Sequence, residues 1–475
     1  MIKDLPQQQL LVSVIVVNFN GKHFLKRCFD SLLTLNFPKD KYEIIMVDNA
    51  SHDLSVDYVQ KKYPQIKIIK SKSNLGFTGG NNLAAKYAKG KYLALLNNDT
   101  QVDKNWLKYL VQKIKSDPKI AAVNSKALLA YPMVELKINS DVYMKSEFSD
   151  STNFQSVGVL IEDIILENNH LKNLIYYRKG FIEKERGTIP ARWTSDHASI
   201  LIPCELSFNK LKFSIIIRSQ KLGTNLETKL SLKIGQKHLI KDSLKSHEVM
   251  QYDFEIPRKD IEKNFLYYVQ NAGSIVFKTG HGRDRGAVVR DHQQSYEIDN
   301  PFYNKATELT AFCGVSVIIR KDLFLKYGGF DDSFFMYYED TDLSLKLKRD
   351  KYRIVFEPKS FIYHIHAGSS REWSTFFIYN VEKNHLAFLI KHFPVTIFCR
   401  QCFIYITKTT ISFLKMLKNR LIEKWQDYEV WRDITNTRVE VIIWFFKNFP
   451  KFVKERIKLN QSLAISIKEI HKTLY

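Results

Sequence analysis

The first hundred residues alternate between apolar, β-branched runs and stretches with helical spacing, and this alternation limits the fold more than any other feature. The run at 10–20 ends in Asn20, the run at 42–50 has Asp48 and Asn49 near its end, and the run at 93–100 has Asn97, Asn98 and Asp99 near its end. Between the first two runs, apolar residues recur every three or four positions from Phe24 to Leu35, as on a helix that packs against a sheet. Strands are also predicted at 66–70 and 92–96, and a helix is predicted from about Asn81 to Tyr87. The pattern predicts an α/β fold built on a doubly wound parallel sheet.

Polar residues at the ends of these runs form the first candidate site. In open α/β sheets, ligands bind just beyond the carboxyl ends of the strands, so Asp48, Asn49 and Asp99 are expected at one edge. Asp99 follows Asn97 and Asn98, and carboxylate and amide oxygens suit a hard divalent cation such as Mg²⁺ or Mn²⁺. A loop turn or a helix cap is the alternative for this segment taken alone.

The segment NLGFTGGNN, residues 74–82, is the second candidate site. Its glycines permit positive φ and close backbone approach, so the segment could wrap a nucleotide and present a helix start to a diphosphate. The G-x-G-x-x-G fingerprint of dinucleotide sites is absent. An ordinary loop between a strand and a helix is the alternative.

Acidic residues beside aromatic ones mark the third candidate site, in FFMYYEDTDLSLKLKRD. Glu339, Asp340 and Asp342 are predicted to open a helix, where acids are favoured by the helix dipole, so simple capping is the alternative. A carboxylate beside an aromatic wall is partly desolvated, which raises its proton affinity and suits a general base. Further on, His364 and His366 share one face of a predicted strand, as two ligands or as hydrogen-bonding side chains.

These segments, in this order, resemble the family 2 glycosyltransferases, in particular the rhamnosyltransferase-like branch. The resemblance rests on VSVIVVNFNG, VDNAS, NLGFTGGNN, LLNNDT, GGFDDSFFMYYEDTDLSLKL and FIYHIHAGSS, and it covers 10–130 and about 272–372. It implies a GT-A fold, a nucleoside-diphosphate sugar donor and inversion at the anomeric carbon.

The resemblance also implies roles for single residues. Asp48 would contact the nucleoside, Asp99 would hold the metal as the last residue of a D-x-D element, and His364 would complete the metal and diphosphate site. Asn97 replaces the first Asp of that element and removes one negative charge. The other expected donor contacts are Asn18, Asn20, Asn74, Gly76, Gly80, Asn81, Asn97 and Asn98.

On the acceptor side, the resemblance implies Asp340 as the base and Glu339 as an acceptor contact, and the sequence leaves the reverse open. A glycine-rich basic loop, GHGRDRGA, is expected next to the donor site. Arg283, Asp284 and Arg285 are its candidate contacts to phosphate or acceptor.

Four segments are predicted: the nucleotide-sugar half at 1–145, an inserted module at 146–270, the catalytic half at 271–372 and a helical region at 373–475. The insert carries short alternating runs separated by turn signals, which predicts an antiparallel β-sandwich. It is expected to contact carbohydrate, to dock a partner or to act as a spacer.

Composition restricts the partners and the compartment. The chain has 72 basic and 50 acidic residues, a net charge of +22, which favours a polyanionic partner or surface. No zinc-finger, homeodomain-like or RNA-recognition signature is present, so no nucleic acid is expected. Five scattered cysteines and the lack of a signal-peptide core or a spanning apolar run favour a cytoplasmic protein. The basic, aromatic tail predicts helices that lie on an anionic membrane, and the alternative is a helical bundle or a homo-oligomer contact that buries the same aromatics.

Together these features predict a metal-dependent, inverting glycosyltransferase. The donor is a nucleoside-diphosphate sugar, with rhamnose as the expected sugar, and the acceptor is a cell-surface glycan or a polyprenyl-linked precursor. The enzyme is expected at the inner face of the plasma membrane. Two alternatives are a non-catalytic carbohydrate-binding or scaffold protein with a GT-A fold and a basic nucleic-acid binder, whose affinity would fall steeply with salt.

Overall fold

The computed structural model describes residues 10–144, 156–184, 191–206, 208–220, 227–290, 293–365 and 374–475. It contains two compact units, Met1–Leu129 with Val269–Tyr475, and Ala130–Tyr268.

Parallel strands in the order β3-β2-β1-β4 form the centre of the first unit. The elements of its first half are β1 (Val12–Asn18), α1 (Lys22–Leu33), β2 (Tyr42–Asp48), α2 (Ser55–Lys62), β3 (Lys67–Lys70), α3 (Gly76–Tyr87), β4 (Tyr92–Asn97), β5 (Thr100–Val102), α4 (Trp106–Lys115) and β6 (Ile120–Leu129). Side chains of β1, β2 and β4 are buried on both faces, which explains their continuous apolar runs. The predicted α/β sheet is confirmed.

Helix α3 begins earlier than the sequence predicts. Its first residue is Gly76, not Asn81, so most of the predicted glycine-rich loop is helical. Asn74 Oδ1 accepts a hydrogen bond from the Gly76 amide, and Gly76 has a φ of +67°, so a tight turn leads directly into the helix. Gly80 lies against β1, where a Cβ would come within 2.7 Å of Val17 Cγ1. The glycines therefore serve close packing, which outweighs their low helix propensity.

The second unit is a nine-stranded sheet in which all strand pairs are antiparallel. Its elements are β7 (Met133–Ser140), β8 (Tyr143–Met144), β9 (Ser156–Val157), β10 (Leu160–Leu166), β11 (Tyr176–Lys184), β12 (Arg192–Pro203), β13 (Lys210–Arg218), β14 (Glu227–Ile234), β15 (Lys237–Lys245), β16 (Val249–Pro257), α5 (Arg258–Ile261) and β17 (Phe265–Leu266), with β8 and β9 forming a separate pair. Hydrogen bonds join the nine strands into one sheet, where the sequence predicts a sandwich. The unit begins at Ala130, upstream of the predicted boundary at 146, because β7 pairs with β12 and β14.

After the insert, the chain adds further strands and two helices to the first unit; most of these strands join the first sheet, and two of them form a separate pair. These elements are β18 (Tyr268–Asn271), β19 (Ser274–Val276), β20 (Gly282–Asp284), β21 (Ala287–Arg290), β22 (Gln293–Ile298), β23 (Thr307–Glu308), β24 (Ser316–Arg320), α6 (Lys321–Lys326), α7 (Glu339–Arg349) and β25 (Arg353–His364). Strand β24 lies antiparallel between β4 and β6. Strand β25 pairs with β5, and His364 is opposite Thr100, next to the end of β4. His366 lies outside the described residues.

The tail is helical, as predicted. It consists of α8 (Thr375–His392), α9 (Val395–Leu421), α10 (Trp425–Ser462) and α11 (Ile467–Lys472). A buried apolar cluster joins α8 and α10 to Phe334, which lies just before α7. Of the helices in the described ranges, none combines the length and hydropathy needed to cross a bilayer.

Candidate active site

One cleft of about 440 Å³ brings together the candidate residues from both ends of the first unit. Seven sequence-predicted residues line it: Asn97, Asp99, Arg283, Asp284, Glu339, Asp340 and His364. The other predicted residues do not line it: Asn18, Asn20, Asp48, Asn74, Gly76, Gly80, Asn81, Asn98 and Arg285. The metal candidates and the base candidate therefore share one space.

Asp99 and His364 form the central pair of the cleft. Asp99 follows β4, His364 ends β25, and both are nearly fully buried. His364 Nε2 lies 3.0 Å from Asp99 Oδ1. The Ile365 amide also donates to the Asp99 carbonyl, at 3.0 Å, so the backbone fixes the two residues side by side.

The donor atoms of this pair suit a divalent cation. His364 Nδ1 lies 2.6 Å from Gln270 Oε1, a contact that orients the ring and directs Nε2 toward Asp99. One carboxylate and one imidazole are an acceptable part of a Mn²⁺ or Mg²⁺ coordination shell, which commonly includes waters and substrate phosphate oxygens. Across the described ranges, no group of three or more His, Cys, Asp or Glu side chains could hold a metal.

Asp48 and Asn18 occupy the carboxyl ends of β2 and β1, beside each other in register. Asn18 Oδ1 accepts a hydrogen bond from Asn98 Nδ2 at 2.8 Å, so Asn98 supports the strand ends. Asp48 Oδ2 accepts from the Ser51 amide at 3.1 Å, while Asp48 Oδ1 is buried and makes no hydrogen bond with any described residue. A buried carboxylate oxygen without a donor is unusual and favours a ligand at this edge.

The remaining predicted donor residues have structural contacts. Asn20 has a φ of +51° and its side chain accepts from the His52 amide. Asn81 donates to the Phe77 carbonyl within α3, and a Cβ at Gly76 would collide with the Phe335 carbonyl. The contacts of these residues are therefore with the protein's own backbone.

Asp340 is held at the first turn of α7 by main-chain donors. Its Oδ2 accepts from the Gly314 amide at 3.0 Å and its Oδ1 accepts from the Thr341 amide at 2.6 Å. Burial nevertheless raises the pKa of Asp340 above its usual value. Glu339 is adjacent, and burial together with the Asp340 charge raises its pKa further still. Two main-chain donors stabilise the carboxylate form of Asp340, which suits a base.

The backbone before this helix is strained. Tyr337 and Tyr338 have φ of 71° and 70°, a region that non-glycine residues rarely adopt. Asn384 of α8 stabilises this turn, because its Nδ2 donates to the Met336 and Tyr337 carbonyls at 2.9 and 2.8 Å. Strain of this kind concentrates at functional sites, where surrounding structure maintains it.

The loop 280–287 contributes only part of what the sequence predicts. Strand β20 pairs with β19 and places Arg283 and Asp284 in the cleft. Arg285 points away from it and donates to the Ala272 carbonyl and to Thr307 Oγ1. Arg285 also lies over the Phe302 and Phe356 rings, so its contacts are structural.

Several residues of the site have no sequence signal. Gln270, which contacts His364, comes from the short strand β18. Gly314 offers its amide to Asp340 from the loop before β24, where a Cβ would meet Phe77. Cys313 also lines the cleft, but burial raises the pKa of its thiol well above the usual value, so it is a neutral wall residue.

Comparison with known proteins finds similarity in the N-terminal part of the chain. Residues 13–127 match the family model "Glycosyl transferase family 2". A poly(ribitol-phosphate) beta-glucosyltransferase of Bacillus spizizenii is 35% identical over 95 residues, which cover 19% of this chain and 15% of that protein. The poly(ribitol-phosphate) beta-N-acetylglucosaminyltransferase TarS of Staphylococcus aureus is 30% identical over 99 residues, covering 20% of this chain and 17% of that protein. The matched segment is therefore a small part of these relatives.

A solved mannosyltransferase from Pyrobaculum calidifontis, in complex with GDP-Man and Mn²⁺, aligns over 94% of this chain and 88% of that chain, with a TM-score of 0.40 and 12% identity. The matched residues 13–127 contain β1 to β5 and Asp48 and Asp99. Residues 13–127 of this chain are therefore similar to the family 2 glycosyltransferases.

Proposed function

We propose that this protein is an inverting, metal-dependent hexosyltransferase that uses a nucleoside-diphosphate sugar. The observation that carries the proposal is the shared cleft, which is lined by the Asp99–His364 pair and by Asp340. An activated sugar donor requires a metal ion beside its diphosphate, and the Asp99–His364 pair would supply ligands for it. An acceptor hydroxyl requires a base, and Asp340 is a separately held carboxylate with a raised pKa.

The residues divide the reaction between them. Asp340 takes the proton from the acceptor hydroxyl, whose oxygen bonds to the anomeric carbon while the bond from that carbon to the diphosphate oxygen breaks. Direct displacement inverts the configuration. Asp99 and His364 would hold a divalent cation, which when bound supplies positive charge beside the departing diphosphate. Burial and the Asp340 charge raise the pKa of Glu339 well above its usual value, which favours the protonated form, and a protonated Glu339 can donate a hydrogen bond to the acceptor.

The sugar and the acceptor are proposed from the sequence resemblance, the relatives' names and the net charge. A rhamnosyl donor follows from the sequence resemblance alone, whereas two relatives carry glucosyl and N-acetylglucosaminyl transfer to poly(ribitol-phosphate) in their names. The net charge of +22 favours an anionic acceptor or surface, such as a cell-surface glycan or a polyprenyl-linked precursor at the inner face of the plasma membrane.

A screen of nucleotide sugars tests this proposal. The full-length protein is incubated with each donor and Mn²⁺ or Mg²⁺, and release of the nucleoside diphosphate is measured. We expect at least one donor to be turned over with metal, with no turnover in excess chelator or in Asp340→Asn with acceptor present. Turnover that is equal in chelator would overturn the metal assignment, and the absence of turnover and of donor binding would overturn the proposal.

A further inference from the structure

The outward side of helix α9 is apolar at its centre. Its buried side carries Gln401, Tyr405 and Ser412, which face the rest of the unit. On the opposite side, side chains recur at helical spacing: Phe403, Ile406, Leu414, Leu417 and Leu421. Phe403 is 72% exposed and Leu421 is 82% exposed. A helix on the surface of a protein in water normally shows the reverse order, with polar residues outward.

Helix α10 repeats this arrangement in its second half. Val441, Phe445 and Phe452 are buried, while Val439, Ile443, Phe446 and Ile457 project outward at a helical period. Ile443 is 63% exposed and Phe446 is 70% exposed. The outward residues of the two helices are called the apolar stripes below. Large exposed apolar stripes on adjacent helices indicate a surface that is covered by something other than water.

The charges beside the apolar stripes indicate which kind of partner covers them. Helix α9 contains five basic residues and no acidic one: Arg400, Lys408, Lys415, Lys418 and Arg420. Between Val441 and Ser462, α10 contains Lys447, Lys451, Lys454, Arg456 and Lys458 with one acid, Glu455. Glu455 lies against buried Lys391, so it does not balance the outward charge.

We propose that the α9–α10 helical pair binds an anionic lipid surface, with the apolar stripes in the acyl boundary and the lysines at the headgroups. Interfacial helices combine apolar insertion with basic flanks in this way. A second copy of the chain would place two cationic helices against each other, and like charges across an interface disfavour pairing. The surface goes beyond the proposed transferase activity and does not depend on it.

Vesicle sedimentation of the full chain tests the surface. We expect binding to vesicles of phosphatidylglycerol and phosphatidylcholine at least tenfold tighter than to phosphatidylcholine alone, and we expect salt to weaken it. Replacing Phe403, Leu414 and Leu421 together by Ser should reduce binding at least tenfold, because exposed side chains contribute to insertion and not to folding.

A charge-matched pair of variants separates this surface from general basicity. Lys447→Glu, Lys454→Glu and Lys458→Glu together should weaken binding at least tenfold. Lys61→Glu, Lys86→Glu and Lys115→Glu make the same change in net charge at exposed positions outside the tail, and should leave binding within about twofold. Lys451 is excluded because it also contacts buried Asp331.

Two results would overturn the proposal. One is an equal loss of vesicle binding in the two triple Lys→Glu variants, which would show that binding depends on the net charge and not on the tail. The other is absence of vesicle binding together with a shift from dimer to monomer, by light scattering, when Phe403, Leu414 and Leu421 become Ser. That shift would assign the apolar stripes to a second copy. Donor turnover is measured in parallel, so loss of the transferase proposal and loss of the membrane proposal give different results.

Discussion

Lys391 Nζ lies 2.6 Å from Asp342 Oδ1, and both side chains are fully buried. Lys391 belongs to α8 of the tail, and Asp342 lies in the first turn of α7, two residues after the candidate base. The same ammonium group lies 2.6 Å from Asp331 Oδ2. Buried ion pairs therefore connect the helical tail to α7, the helix that carries Asp340.

Removing Lys391 should destabilise the first unit strongly. In Lys391→Met, Asp342 keeps Lys346 and His392 but Asp331 loses its closest cation, so we expect a loss of about 3 kcal/mol in the free energy of unfolding by urea. Lys326→Met is the matched control, because Lys326 lies 2.6 Å from Asp350 but is half exposed. That exposed pair should cost below about 1 kcal/mol. Equal losses would show that burial is unimportant here.

The same ion pairs predict how stability depends on pH. Burial opposes ionisation of Asp342, but the charges of Lys346 and Lys391 dominate and hold its pKa well below the usual range. A carboxyl with a lowered folded-state pKa adds stability that is complete above its unfolded pKa, about 3.9, and is lost as pH falls below it. The difference in unfolding free energy between wild type and Lys391→Met should therefore be constant from pH 5 to about 8 and shrink below about pH 4.

Asn384 is expected to act through the turn that precedes Asp340. In Asn384→Asp, the carboxylate cannot donate to the Met336 and Tyr337 carbonyls, so the strained turn relaxes and the base moves. We expect kcat for transfer to fall by about 10- to 100-fold, with the donor KM within about twofold.

Asn380→Asp provides the control for this variant. Asn380 lies on the same helix and is also buried, and among the described residues it donates only to the Phe376 carbonyl of its own helix. Its replacement adds the same buried charge without touching the catalytic turn, so kcat should stay near the wild-type value. If both variants lose kcat to the same extent, the effect is general destabilisation.

The sequence predicts the features of the site that depend on residues close together in the chain, and it does not predict the contacts between distant segments. The strands β1, β2 and β4 are predicted because burial on both faces demands apolar runs, and Asp48 and Asp99 follow from the ends of those runs. The acids of α7 are visible as a first-turn cluster. These features are local in the sequence.

Contacts between distant segments were not predictable. Gln270 meets His364 only because β18 and β25 both pair with β6, and Asn384 meets Tyr337 only because α8 packs beside α7. The early start of α3 was missed because three glycines normally indicate a loop, and here close packing against β1 outweighs that preference. Arg285 was grouped with Arg283 by sequence alone, although the hairpin directs it to the Phe302 and Phe356 rings.

Asp99→Ala should remove metal-dependent donor binding. Asp99 is the one acid that follows β4 directly, and we expect turnover to fall by more than about 100-fold, with Mn²⁺ no longer tightening donor binding in calorimetry. Asp103→Ala is the control, because Asp103 caps a turn four residues later and does not line the cleft. Donor binding that still tightens with Mn²⁺ in Asp99→Ala would contradict the assignment.

Glu339 should tolerate an amide better than a deletion. Burial and the neighbouring Asp340 charge raise the pKa of Glu339 well above its usual value, which favours the protonated form that donates a hydrogen bond. Glu339→Gln is then nearly isosteric and still donates a hydrogen bond, and the acceptor KM should stay within about threefold, while Glu339→Ala should raise it about tenfold or more. A loss in Glu339→Gln as large as in Glu339→Ala would mean that Glu339 acts as a carboxylate.

Asp340 should control the acid limb of the transfer rate. The ionised carboxylate is the active form and burial raises its pKa, so kcat should rise with pH through a value above about 3.9, the ordinary value for Asp. Asp340→Asn should lower kcat by about 10²- to 10⁴-fold, with donor affinity nearly unchanged. Thr341→Val tests the assignment further, because Thr341 Oγ1 donates to Asp340 Oδ1 at 3.1 Å and lowers its pKa. Removing that hydroxyl should shift the acid limb to higher pH, and a limb that shifts to lower pH would assign the titration to another group.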